Sequence, residues 1–133
     1  PLAEESHLIR DIGAWVLNQV CGDYAAWQKE IADPGMVAIN LYRVAQEAMN
    51  NAVKYSRASC VKLELKRIGD QLRLTISDDG IGIDFDRPSQ NQGLGMHSMR
   101  YRAQLLGGTL KIEPQPLGGT RVVVMVSETG VQR

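Results

Sequence analysis

The sequence predicts an α+β fold in which helices cover one face of a mixed, mostly antiparallel sheet, a two-layer α/β sandwich. Three observations lead to this prediction. Residues 36–56 have helical periodicity, residues 97–108 also favour a helix, and four segments alternate between apolar and polar side chains. The alternating segments come in two pairs, one before and one after the shorter helix, as two antiparallel hairpins would.

The first third of the chain is predicted to hold one helix and one strand. Apolar residues at near-helical spacing, from Leu8 to Val16, predict a helix over residues 4–20 that Gly22-Asp23 would end. Residues 23–33 fit either a strand or a second helical stretch, and we favour the strand. Pro34-Gly35 then marks a break.

Residues 36–56 give the strongest helix prediction. Their apolar side chains share one stripe at three- and four-residue steps, formed by Val37, Leu41, Val44, Ala48, Ala52 and Tyr55. Such a stripe indicates a helix that buries one face against the sheet.

Two hairpins follow in the prediction. Residues 61–66 and 72–77 alternate apolar with polar side chains around Gly69-Asp70, which favours a hairpin with one wet face. Residues 109–114 (TLKIEP) and 120–127 (TRVVVMVS) are joined by the turn QPLGG. The pair Gly107-Gly108 would end the helix that precedes them.

Composition restricts the class of protein. The 133 residues fit a single domain, 1–133, and 44% hydrophobic residues exclude wholesale disorder. Fifteen basic and fifteen acidic residues give no net charge, which argues against a general nucleic-acid binder or a basic membrane-surface module. Two cysteines at this spacing fit neither a zinc site nor a disulfide scaffold and favour a cytoplasmic setting. The chain begins at a Pro, so we expect it to be part of a longer protein.

A polar face of the long helix carries Glu47, Asn51 and Lys54. Steps of four and three residues place these side chains on nearly the same side of a helix. A carboxylate, an amide oxygen and an ammonium group there could hold a water, a hydrated Mg²⁺ and a phosphate. The helix alone also fits an ordinary solvated face.

Two glycine clusters flank a polar segment. Asp78 stands at a predicted strand end before Gly80 and Gly82, where its carboxylate could accept a hydrogen bond from an amine such as that of adenine. The sequence GLGM (93–96) is predicted to precede a helix, whose free N–H groups could bind phosphate. Each motif alone also fits an ordinary turn.

In this order, the motifs resemble the GHKL family of ATP-binding domains over residues 36–127. The segment EAMNNAVKYS resembles its N box, DDGIG its G1 box, GLGM its G2 box and GGT (118–120) its last turn. The chain is most similar to the catalytic domain of bacterial sensor histidine kinases of the nitrate-sensor and membrane-fluidity-sensor type. This resemblance implies a Bergerat fold that binds ATP and Mg²⁺.

The resemblance also implies roles for residues. Asp78 would bind the adenine amine with Thr120 nearby through water, Asn51 would coordinate Mg²⁺, and Lys54 would approach the phosphates. Glu47 would be the catalytic residue, orienting a metal-bound water or polarising the acceptor. The remaining implied ATP-binding residues are Tyr55, Gly80, Gly82, Ile83, Gly93, Leu94, Gly95 and Met96. Residues 84–92 would form a lid.

A histidine kinase needs an acceptor histidine, and neither His7 nor His97 lies in a matching motif. We therefore expect a dimerisation domain outside this chain. The helix within residues 1–22 would either lead from that domain or cover the edge of the sheet. The partners expected are that domain and a response regulator, with no nucleic acid and no direct membrane contact; the parent kinase could be anchored in the inner membrane. The isolated domain is expected to be a monomer without autophosphorylation.

Two alternatives remain open from the sequence. An anti-sigma-factor serine kinase is also small and has E-x-x-x-N-A in its N box, although the segment RAQLLGGTLKIEP favours the sensor kinase. A degenerate domain would act only as an interaction module, which intact Asn51, Asp78 and glycines argue against.

Overall fold

The computed structural model describes residues 34–83 and 90–127. These residues form, in chain order, α1 (Pro34–Lys54), β1 (Val61–Ile68), β2 (Gln71–Asp78), α2 (Gln90–Leu105), β3 (Thr109–Pro114) and β4 (Thr120–Ser127). The helix predicted over residues 4–20, the strand favoured over 23–33 and most of the lid predicted over 84–92 lie outside the described residues.

Helix α1 begins at Pro34, two residues before its predicted start. Proline suits the first turn of a helix because its fixed φ is already helical and its missing N–H would have no partner there. The predicted apolar stripe is buried except for Tyr55, which lies past the end of the helix. Val37, Leu41 and Val44 are at most 1% exposed. Lys54 in the last turn complements the negative end of the helix dipole.

The four strands form one sheet in the order β1-β2-β4-β3, and all three pairings are antiparallel. Both predicted hairpins are confirmed, the first closed by Gly69 with a φ of 61°. The register places Leu63 beside Ile76, and Ile76 beside Val122. Apolar side chains of successive strands therefore meet on one face.

That face packs against both helices and forms the core. Leu74 and Val124 of the sheet, Val44 of α1, and Leu106 just after α2 are fully buried there. The predicted α+β two-layer sandwich is confirmed. No helix among residues 34–83 and 90–127 has the length and hydropathy to cross a membrane.

Helix α2 differs from its prediction. It runs from Gln90 to Leu105, so the GLGM segment lies inside the helix, and the prediction that this segment precedes a helix is wrong. Two glycines usually weaken a helix, but here Gly95 lets α2 approach α1, since a Cβ at Gly95 would overlap the Glu47 carboxylate. Packing between helices therefore outweighs local propensity. Gly107, with a φ of 65°, ends the segment as predicted.

Candidate functional site

A cavity that opens to solvent lies between α1 and the adjoining ends of β2 and β4. Its lining is Ala48, Asn51, Ser56, Ile76, Asp78, Ile83, Thr120 and Val122. Four of these were predicted as site residues: Asn51, Asp78, Ile83 and Thr120. The cavity therefore combines an apolar wall, which suits a flat ring, with a few polar groups that can orient it.

Asp78 is the last residue of β2 and continues the inward alternation of that strand. Leu72, Leu74 and Ile76 point into the core, and the same period turns Asp78 inward at its edge, where it is 8% exposed. Its Oδ1 accepts hydrogen bonds from the Ser56 hydroxyl at 2.7 Å and from the Gly80 N–H at 2.9 Å. The Gln115 amide also donates to the Asp78 carbonyl at 2.8 Å. Side chain and backbone of Asp78 are thus both held.

Ser56 is a site residue that the sequence prediction missed. It is 1% exposed and follows α1, where its N–H donates to the Asn51 carbonyl at 3.0 Å. Its hydroxyl also accepts from the Gly82 N–H at 3.0 Å, and its carbonyl accepts from the Ile81 N–H at 2.7 Å. Its position as the last residue of the segment that resembles the N box was the available signal. Ser56 joins the end of α1 to the loop after β2.

The amide of Asn51 and the hydroxyl of Thr120 are buried on this cavity. Asn51 is 5% exposed and Thr120 is 3% exposed, and the Asn51 Nδ2, the Asn51 Oδ1 and the Thr120 Oγ1 have no hydrogen-bond partner in the described structure. Leaving a buried polar group unpaired costs about 1–3 kcal/mol. Groups kept at this cost and lining a cavity indicate that a ligand supplies their partners.

Glycines close the walls of the cavity. A Cβ at Gly80 would overlap Ser56, and one at Gly119 would overlap the Asp78 carbonyl. Gly119 also has a φ of 89°, which favours glycine. Contact with Ser56 is therefore enough to require a glycine at position 80. The predicted contact of Gly80 with nucleotide stays a prediction.

Asp79, the residue after Asp78, fastens the loop between α1 and β1. Its Oδ1 accepts the Ser59 N–H at 2.8 Å and the Cys60 N–H at 2.9 Å. The bond from Cys60 is the main cause that lowers the pKa of the Asp79 carboxyl. Adjacent acids thus have separate tasks, since Asp78 faces the cavity and Asp79 braces a surface loop.

Glu47 lies one turn before Asn51 on α1 and is partly buried. Burial raises the pKa of its carboxyl, and the positive charge of Lys54 opposes this effect. Gly95 of α2 packs closely against its Oε1. Glu47 does not line the cavity, but a partly buried glutamate with a raised pKa one turn from Asn51 is a candidate for interaction with a reacting group.

Other predicted residues lie away from the cavity in the described structure. Lys54 is exposed at the end of α1, and Tyr55 is half-buried just beyond it. On α2, Gly93 is partly buried, Leu94 is 62% exposed and Met96 packs against the core. Nucleotide contacts for these residues stay predictions.

The donor atoms near the cavity can be compared with the ligands that a metal ion requires. The described residues contain no cluster of three acidic, histidine or cysteine side chains that could hold a metal alone. Mg²⁺ keeps several waters and binds through one or two protein oxygens together with phosphate. The unpaired amide oxygen of Asn51, one turn from Glu47, fits that kind of site.

Residues 36–130 match the sequence model of the histidine kinase-, DNA gyrase B- and HSP90-like ATPases. The chain belongs to this ATPase family. The resemblance found in the motifs is thereby confirmed, and the matched range covers α1 from its third residue, all of α2, all four strands and the cavity.

Several relatives in the family are sensor kinases. The chain is 40% identical over 91 residues to the nitrate/nitrite sensor protein NarX of Escherichia coli (strain K12), covering 68% of this chain and 15% of NarX. It is 42% identical over 90 residues to the signal transduction histidine-protein kinase/phosphatase UhpB of Salmonella typhimurium, covering 68% of this chain and 17% of UhpB. The chain thus spans less than a fifth of the length of these relatives.

Solved structures of histidine kinase domains have a similar fold. The ATP-binding domain of PrrB from Mycobacterium tuberculosis is 31% identical with a TM-score of 0.57, and the match covers 68% of each chain. The histidine kinase domain of a blue-light-activated kinase from Erythrobacter litoralis is 27% identical with a TM-score of 0.61, covering 72% of this chain and 46% of that one.

Proposed function

We propose that this domain binds ATP with Mg²⁺ and serves as the catalytic domain of a two-component sensor histidine kinase, whose γ-phosphate acceptor is a histidine outside this chain. The observation that carries the proposal is the set of unpaired buried groups, Asn51 and Thr120, that share one cavity with Asp78. Family membership and the sensor-kinase relatives support the same assignment.

The cavity would hold the adenine base. The apolar part of the lining would contact the ring, and the phosphates would extend out of the cavity toward solvent. Asp78 is held at the strand end by Ser56 and Gly80, so its carboxylate can accept the exocyclic amine. The Thr120 hydroxyl supplies a second polar contact, direct or through water. Ala48, Ile76, Ile83 and Val122 would cover the ring faces.

Asn51 would hold the metal through its amide oxygen. Mg²⁺ bound there would neutralise charge on the phosphates during transfer. The protein contributes position, since Asn51 sits on a helix packed into the core and its backbone carbonyl accepts the Ser56 N–H at 3.0 Å. Lys54 at the open end of α1 would approach the phosphates from the solvent side.

Glu47 would act next to the metal. Its raised pKa places its titration nearer to neutral pH than that of an ordinary glutamate. A carboxylate there can orient a metal-bound water or accept a hydrogen bond from the incoming imidazole. Its role is to position and polarise the acceptor.

The acceptor would come from a dimerisation domain of the same kinase. His97 is exposed on α2, in a segment unlike an acceptor motif. The large difference in length between this chain and its relatives leaves room for sensor and dimerisation domains in a parent protein. A response regulator would receive the phosphoryl group, and this domain would work in the cytoplasm as a monomeric unit.

The proposal is tested by titrating ATP into the 133-residue chain with and without Mg²⁺. Saturable binding that strengthens with Mg²⁺ is expected, and Asp70→Asn on the exposed hairpin turn is a matched control that should bind as wild type does. Phosphotransfer is then measured after adding a dimeric helical segment that carries the acceptor histidine. An absence of Mg²⁺-dependent nucleotide binding would instead support an interaction module without catalytic activity.

A further inference from the structure

Ser56 lies where the two halves of the cavity meet. It follows α1, which carries Asn51, and it contacts the loop that carries Asp78, Gly80 and Gly82. It is 1% exposed, more deeply buried than Asp78 itself. Its hydroxyl has two hydrogen-bonded neighbours, Asp78 and Gly82, which set its orientation.

Only one assignment of hydrogen-bond donors and acceptors around Ser56 is possible. The Gly82 N–H can only donate, so the Ser56 Oγ must accept that bond at 3.0 Å. The hydroxyl proton is therefore directed elsewhere, to the Asp78 Oδ1 at 2.7 Å, and a carboxylate oxygen can only accept. The Gly80 N–H donates to the same Oδ1 at 2.9 Å. Two donors thus fix one oxygen of the carboxylate and, with it, the plane of the group.

We infer that Ser56 is a positioning residue that orients the Asp78 carboxylate so that its second oxygen, Oδ2, meets the purine amine. This inference rests on the proposed ATP site and adds Ser56 to the residues that recognise the base. It follows from the fixed Oδ1: rotation of the carboxylate would break both bonds to Oδ1, so the other oxygen is presented to the cavity in one direction.

A purely structural role and a positioning role for Ser56 have different consequences. A structural role would weaken binding of every nucleotide alike, because the loop would lose its shape. A positioning role would weaken binding only of ligands that carry the amine. Purine riboside triphosphate differs from ATP in lacking that amine, so a comparison of the two ligands separates the roles.

The experiment measures the Kd of ATP and of purine riboside triphosphate, each with Mg²⁺, for the wild-type chain and for Ser56→Ala. We expect Ser56→Ala to weaken ATP binding about ten-fold or more and to change binding of the amine-free ligand less than about two-fold. Ser59→Ala is the control, because Ser59 is exposed and only its backbone N–H binds Asp79. This control should leave both Kd values unchanged.

Ser56→Cys provides a second variant of nearly the same size, since a thiol is a weaker donor; it should lose ATP affinity selectively but less than Ser56→Ala. Equal weakening of both ligands by either variant would overturn the positioning role. If Ser56→Ala binds ATP in preference to the amine-free ligand as strongly as wild type does, the positioning role of Ser56 is also overturned. The proposed ATP site would not be contradicted by that result. A wild-type chain that does not distinguish the two ligands would reject the Asp78 amine contact itself.

Discussion

Asn51 on α1 and Asp78 at the end of β2 line the same cavity, although they come from different layers of the fold. Helix α1 packs its apolar stripe on the sheet, and this packing brings the next polar position of the helix over the strand end. The residue proposed to hold the metal and the residue proposed to bind the base therefore share one cavity, as a single nucleotide site would require.

Replacing Asp78 by Asn tests the base contact. An amide oxygen can still accept from Ser56 and Gly80, so the loop should keep its shape. The amide NH₂ would then occupy the second position and face the purine amine, donor against donor. We expect the Kd for ATP to rise at least about ten-fold, while circular dichroism and thermal unfolding stay close to wild type. Wild-type ATP affinity in this variant would exclude the amine contact.

Thr120→Val removes a buried hydroxyl that has no partner in the described structure. Valine keeps the branched shape, so the penalty of the unpaired group is removed without a large cavity. We expect the nucleotide-free domain to become more stable by about 1 kcal/mol and to bind ATP more weakly. Urea unfolding without nucleotide measures the first effect, and titration measures the second. A loss of stability in the absence of nucleotide would mean that the hydroxyl already has a partner.

Asn51→Ala, which removes the amide oxygen, tests the metal contact in a full-length kinase that contains this domain. A ligand to Mg²⁺ matters most when charge develops during transfer. We expect the rate of phosphotransfer to fall at least about a hundred-fold, with a smaller loss of ATP affinity. Single-turnover phosphorylation and nucleotide titration separate the two quantities. Wild-type turnover would remove Asn51 from the metal site.

Sequence patterns predicted the parts of the fold in which burial decides the structure. The alternation in QLRLTIS and TRVVVMVS identified both hairpins, because a slip of one residue would turn Leu74 and Val124 outward. The stripe of α1 placed Asn51 at the edge of the buried face in the same way. Because the strand was predicted correctly, the prediction also placed Asp78 at its end, and Asp78 lines the cavity.

Features that depend on contacts between distant segments were not predicted. Residues 90–96 are helical and bring Gly95 close to Glu47, a contact between distant segments that no local pattern reveals. Ser56 likewise has its role only because the loop after β2 closes onto it, through Gly82 and Ile81. Local propensity cannot report either contact.

The carboxyl of Glu47 gives the domain a pH-dependent stability. Burial raises its pKa in the folded state, so the folded protein binds this proton more tightly than the unfolded chain does. The contribution to stability is present at low pH and is lost as pH rises through the raised pKa. Glu47→Gln, which stays neutral, should therefore gain stability relative to wild type at about pH 8 and match it at about pH 4. Thermal unfolding at both pH values measures this; a gain that is the same at both would assign the effect to something other than titration.

Gly119→Ala tests whether the last turn sets the wall of the cavity. Gly119 and Gly69 both have a positive φ, 89° and 61°, so alanine costs roughly 1–2 kcal/mol of backbone strain at either position. Only at Gly119 would the new Cβ also overlap the backbone carbonyl of Asp78, whereas Gly69 has open space around it. We expect Gly119→Ala to lose clearly more stability than Gly69→Ala in urea unfolding and to weaken ATP binding, because Asp78 must shift. Equal losses in the two variants would show that the turn yields without moving Asp78, and the packing argument for the GGT motif would then be wrong.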